Sequence, residues 1–162
     1  MERMPHGLEN ATHFLLRGSN FCKCEYYNRI EREKRRMVEM EWIPSEEEYN
    51  PGIAKEQWIE FIQDKNIFNE NALITFACIL KAKIATCADM AEEFGRSANF
   101  YNTNNWRTGE RIFKKINCPL SEREEGGNRF WSVCCLGRSS VQGRWEFKIR
   151  PELQEAFEET GM

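Results

Sequence analysis

Histidine is almost missing from this chain. There are two in 162 residues, His6 and His13, both near the N-terminus. Histidine is the side chain whose ordinary pKa suits proton transfer near neutral pH. A Cys–His nucleophile in the body of the protein would therefore need one of those two to reach it. A nucleophile elbow and a recognisable metal triad are missing as well. So is the GxxxxGK[ST] phosphate loop, and without it the chain carries no nucleotide-driven motor. The acids Glu122, Glu124 and Glu125 cluster, but a solvated acidic loop is the usual meaning of such a run. The expectation is a protein that is not an enzyme and that holds no cofactor.

Long apolar runs are also missing. No stretch approaches the roughly 20 residues needed to span a bilayer. The opening "MERMPHGLEN" lacks the basic and apolar pattern of a secretory signal. The expectation is a soluble, cytoplasmic protein with no membrane role. A second cysteine pair is missing too. Cys22-Lys-Cys24, with His6 and His13 upstream, is too little for the closed four-ligand site of structural zinc, so no metal is expected. The seven cysteines are odd in number and irregular in spacing, which favours reduced thiols over a disulfide framework. Cys78, Cys134 and Cys135 lie in apolar runs and read as small hydrophobes.

What is present is a real core and a divided charge. Hydrophobic residues make up 41% of the chain and aromatics 12%, with five Trp and eleven Phe, enough for one buried domain. The net charge of −3 argues only weakly against nucleic acid, because its distribution is uneven. Residues 96–150 hold eleven Lys or Arg against five Glu, a local +6; the last twelve residues are −4 and residues 1–95 are −5. A local basic footprint is what phosphate binding requires.

Residues 1–48 read as a charged N-terminal arm, partly helical, with "YYNRIEREKRRMVEMEWI" dense in charge pairs three and four apart. It is either a solvated helix or one that binds a partner. "PSEEEYNPG" stops it. The main domain, 49–162, opens with two amphipathic segments expected to pack on each other. One is near 55–65, with Trp58, Phe61 and Ile62. The other is near 70–82, capped at Asn69 or Glu70, with Leu73, Ile74, Ala77, Cys78 and Leu80 on its inward face. Thr86 caps a helix over 87–94, with Asp89 completing a capping box and Cys87, Met90, Ala91 and Phe94 turned inward. Gly95 ends it with a positive φ. Ser97 caps the next helix, over 98–116.

Helix, glycine turn, helix is the helix-turn-helix pattern, although other αα-hairpins share it. The segment that follows Gly95 holds Asn99, Asn102, Asn104 and Asn105. In a helix-turn-helix the second helix presents its N-terminal residues to base edges, and Asn pairs with adenine as Arg does with guanine. The other reading is that these amides cap and shape a turn, with "NTNN" splitting a short helix near 98–102 from a longer one near 105–116. On the longer piece Trp106, Ile112, Phe113 and Ile116 face the core, and Arg107, Arg111, Lys114 and Lys115 face outward. "RFWSVCCLGRSSVQGRWEFKIRPEL" reads as a β-hairpin over 130–149. It alternates Trp145, Phe147 and Ile149 with Arg144, Glu146, Lys148 and Arg150, and its tip carries Arg138 and Gln142. Pro151 opens a final helix. The fold expected is α+β, a winged helix-turn-helix with an N-terminal helical arm. The expected DNA contacts are Arg96, Asn99, Asn102, Asn105, Arg107, Arg111, Lys114, Lys115, Arg138 and Arg144.

The series "YNPGIAKEQWIEFIQDKNIFNENAL", "ATCADMAEEFGRSANFYN", "GERIFKKINCP", "RFWSVCCLGR" and "WEFKIRPELQEAF" resembles a domain found beside AAA+ ATPases of McrB-type, modification-dependent restriction systems and beside other bacterial defence proteins. The resemblance spans roughly residues 49–160 and leaves out the arm. It implies a DNA-recognition module, here a free-standing copy binding double-stranded DNA. The alternative it leaves open is a phage-encoded, anti-CRISPR-like inhibitor that binds a bacterial defence nuclease or its nucleoprotein complex.

Overall fold

The computed structural model describes residues 41–161 apart from Val141. The chain divides into two units, Met1–Glu39 and Met40–Met162, and the description below is of the second. Cys22, Cys24, His6, His13 and the arm's expected helix up to residue 40 lie outside the described residues; residues 41–43, expected as its end, are not helical, and Ile43 pairs with Gly137 of the hairpin. The second unit is α+β: five helices, one 3-10 turn and a small antiparallel sheet.

Helix α1 (Lys55–Gln63) buries Trp58, Phe61 and Ile62, a spacing of three and four that turns one stripe to the core. It packs chiefly on the last helix, not on α2 as expected. Helix α2 (Glu70–Ala82) starts at Asn69, whose side chain accepts from the Ala72 N–H at 3.0 Å. Its buried stripe is Ala72, Thr75, Phe76 and Ile79; Leu73, Ile74, Cys78 and Leu80 are half-buried and Ala77 is exposed. The expected face was rotated because Phe76 sets the phase. Its ring meets Phe68 at 5.3 Å and stacks on Phe157 at 6.1 Å, and aromatic rings carry the largest burial gain.

Strand β1 (Ala85–Thr86) leads without a loop into α3 (Cys87–Phe94). Thr86 closes the strand and caps the helix in a capping box with Asp89. Gly95 ends α3 at φ 78° and Ser97 caps α4 (Ala98–Ile116). Helix α4 is continuous for 19 residues, about 28 Å at 1.5 Å per residue. The expected break at "NTNN" does not occur. The Asn104 amide donates to the Phe100 carbonyl within the helix at 2.8 Å, and the Thr108 hydroxyl donates to the Asn104 carbonyl at 2.7 Å. Side chains that would compete with helical backbone are thus satisfied inside it.

Phe130–Val133, expected as the start of the hairpin, form a 3-10 turn laid across α4. Strands β2 (Cys135–Ser139) and β3 (Trp145–Ile149) form the hairpin itself, and β1 pairs with β3, giving the order β1-β3-β2. Helix α5 (Pro151–Thr160) closes the core with Leu153, Ala156 and Phe157. Arg150, expected on the outer face of the hairpin, is turned inward at 2% exposure, where its Nε donates to the Ser132 carbonyl at 2.8 Å. There its guanidinium lies 5.0 Å from the Tyr49 ring. No described helix is long and apolar enough to cross a membrane.

Candidate nucleic-acid interface

Continuity fixes which side chains of α4 can meet a ligand. At 100° per residue, Tyr101, Asn105, Thr108 and Ile112 form one stripe, and all are buried. Asn105 is 2% exposed, and its carbonyl oxygen accepts from the Cys135 thiol at 3.6 Å. It packs the helix onto the hairpin and cannot reach a base edge, which corrects its expected role. Asn99, Asn102 and Arg107 are on the opposite, exposed side, with Thr103 half-buried between them.

Among the basic residues expected at the surface, several have partners. Arg111 donates to the Ile67 carbonyl at 3.1 Å, and Lys115 pairs with Asp64 at 2.6 Å. Both tie the end of α4 to the α1–α2 loop. Lys115 in turn holds the Asp64 carboxyl below the usual carboxylate range. Lys114 pairs with Glu110 at 2.7 Å, one turn away, with its side chain still 68% exposed. Arg138 lies within β2, not at the hairpin tip, and pairs with Glu146 at 2.7 Å. The guanidinium of Arg138 and the ammonium of Lys148 both lie over the Trp42 ring, at 4.6 and 4.5 Å. Arg96, Arg107 and Arg144 are exposed. Arg96 sits at φ 67° in the turn, 5.2 Å over the Phe100 ring.

Asn99 and Asn102 border a cleft of about 840 Å³ between α4 and the hairpin. Thr86, Cys87 and Ala88 of the β1–α3 junction line one end, Trp106 of α4 one wall, and Trp131, Trp145 and Phe147 the other. Arg123, Glu124, Glu125, Arg129 and Arg144 surround it. Trp131 stands edge-on to Phe147 at 5.3 Å and tilts against Trp145 at 5.8 Å. Of the three residues expected on one strand face, Phe147 and Ile149 are buried and Trp145 is 42% exposed. The Asp89 carboxyl is held below its usual range by the hydroxyl and backbone N–H of Thr86, with Arg144 a smaller contributor. Burial pushes the Cys87 thiol up to about 11, so it is protonated at neutral pH and a poor nucleophile.

The cleft was not expected from the sequence. One signal was available: Asn99, Asn102 and Trp106 stand at i, i+3 and i+7, which puts two amides and an indole on one helix face. Its other wall comes from residues about thirty to forty positions on, and no local pattern joins the two. Among the described residues no group of three or more His, Cys, Asp or Glu is arranged to hold a metal. Compared with protein-family models, curated proteins and solved structures, the chain matches none.

Proposed function

We propose that residues 40–162 are a winged-helix module that binds double-stranded DNA without catalysing a reaction on it, with α4 in the major groove and the β2–β3 hairpin as its wing. One observation carries the reading. The element order is helix, short strand, helix, glycine turn, long helix, hairpin, and the short strand pairs with the far strand of that hairpin. Asn99, Asn102 and Arg144 border the same cleft between α4 and the hairpin, and Arg107 is exposed further along α4. The arginines would contact phosphates and the amides base edges.

Titration of a labelled 20-base-pair duplex followed by anisotropy tests it. If Arg96, Arg107 and Arg144 each meet a phosphate, log K falls against log salt with a slope of about −2.7. Absence of binding at low salt, or a flat salt response, defeats the proposal.

A second reading is the inhibitor of a defence nuclease complex. It is favoured by the ion pairs of Lys114, Lys115 and Arg138, which leave a smaller positive surface than the count of basic residues suggests. Co-purification of the tagged full chain with a nuclease or its nucleoprotein complex supports it. Recovery of DNA alone speaks for the first reading.

A further inference from the structure

We infer that the cleft between α4 and the hairpin is a stacking site for an unpaired nucleobase, so that the ligand is a nucleic acid with a single-stranded overhang or bulge next to duplex. The inference rests on the DNA-binding reading for the duplex part and adds the strand feature that the same face recognises.

The first support is the indole platform. Trp145 is 42% exposed while its neighbour Trp131 is 8% exposed, and both indoles line the cleft, tilted 51° to each other. The platform has a built seat. A Cβ at Gly137 would come within 2.7 Å of the Trp131 ring and 3.2 Å of the Trp145 ring, so the two indoles lie across β2 where only glycine leaves room for them. Stacking on an aromatic face tolerates every base, because every base has a π-face.

The second support is chemical pairing across the cleft. Asn99 and Asn102 line the other wall. Each amide offers both a carbonyl acceptor and an N–H donor, the combination that a base edge requires. The volume of about 840 Å³ lies within the range of sites that enclose small ligands.

The third support is charge. An aromatic cleft can also take a cation, but here Arg123, Arg129 and Arg144 outnumber Glu124 and Glu125 around it. A neutral planar ring attached to a phosphate fits that balance, and a quaternary ammonium does not.

The test uses the full chain and three probes: a blunt duplex, the same duplex with a three-nucleotide overhang, and that overhang with abasic nucleotides. The overhang should bind more tightly than the blunt end, and the abasic version should lose the gain. Trp145→Ala should remove the gain, about 5- to 150-fold, and leave blunt-duplex affinity unchanged. Trp145→Phe keeps a stacking face and should keep part of it. If Trp145→Ala lowers the melting temperature, Trp145→Leu serves instead, because it keeps apolar volume against Trp131 and offers no ring for a base to stack on. Equal binding of all three probes, or a gain that survives loss of the indole, overturns the inference while duplex binding stands. Base-dependent binding of the overhang probe with no binding of the blunt duplex keeps the stacking site and defeats the duplex reading. Binding of none of the probes, or of a trimethyl-lysine or proline-rich peptide in their place, overturns it.

Discussion

Gly109 of α4 lies directly beneath the Phe130 carbonyl, and a Cβ at Gly109 would overlap that oxygen. The helix and the 3-10 turn meet backbone to side, with no space for even a methyl group. Trp106 and Phe113, on either side of Gly109, hold the Phe130 ring at 5.1 and 5.6 Å. Gly109→Ala should therefore destabilise the domain by about 1–3 kcal/mol, although alanine is the better helix former. Urea denaturation measures the loss, and an unchanged midpoint would show that the turn yields.

The asparagines of α4 should separate into two classes. Asn105→Ala leaves the buried Cys135 thiol without its acceptor and opens a void, at a cost of about 1–2 kcal/mol. DNA affinity per folded molecule should stay the same. Asn102→Ala should do the reverse, with stability within about 0.5 kcal/mol and an altered DNA preference. Thermal melts and a selection on randomised duplexes read the two effects separately.

The basic residues should divide in the same way. Arg107→Ala should reduce the salt slope of binding by about 0.9. Lys115→Ala should change it far less, because that ammonium already sits on Asp64. Equal slopes for the two variants would mean that Lys115 leaves Asp64 in the complex.

Acid should loosen the start of α3. The Thr86 hydroxyl and N–H depress the folded pKa of Asp89, so its contribution is complete above the unfolded value of about 3.9. It fades as pH falls through the lower folded value. Asp89→Asn should flatten this part of the acid profile. Thr86→Ala should remove the cap at any pH, at about 1 kcal/mol. Circular dichroism between pH 5 and 2 follows both.

The sequence was most legible where a polar side chain closes a helix. Asn69, Thr86 with Asp89, Ser97, Gly95 and Pro151 all mark boundaries where the chain bends, because each acts on backbone groups a few residues away. Position became illegible where distant packing decides. Asparagine's low helix propensity suggested a break in α4, yet internal hydrogen bonds and burial of Tyr101, Thr108 and Ile112 outweigh it. The inward face of α2 is set by Phe68 and Phe157, and α1 packs on a helix ninety residues further along the chain. Strand β1 is two residues long, too short for alternation to register. The exposed amides Asn99 and Asn102 could be read from the sequence. The indole wall opposite them could not, since Gly137 makes it possible from another element.

The pairing of Ala85 with Phe147 also has a bearing on synthesis. Helix α4, which carries the exposed Asn99, Asn102 and Arg107, lies between those two residues. A ribosome adds about 5–20 residues per second, so α4 waits several seconds for the strand that completes its seat. Chains stalled before residue 145 should be cut by protease within 87–116, and chains released at full length should resist. The helix proposed to meet DNA is made early and set late.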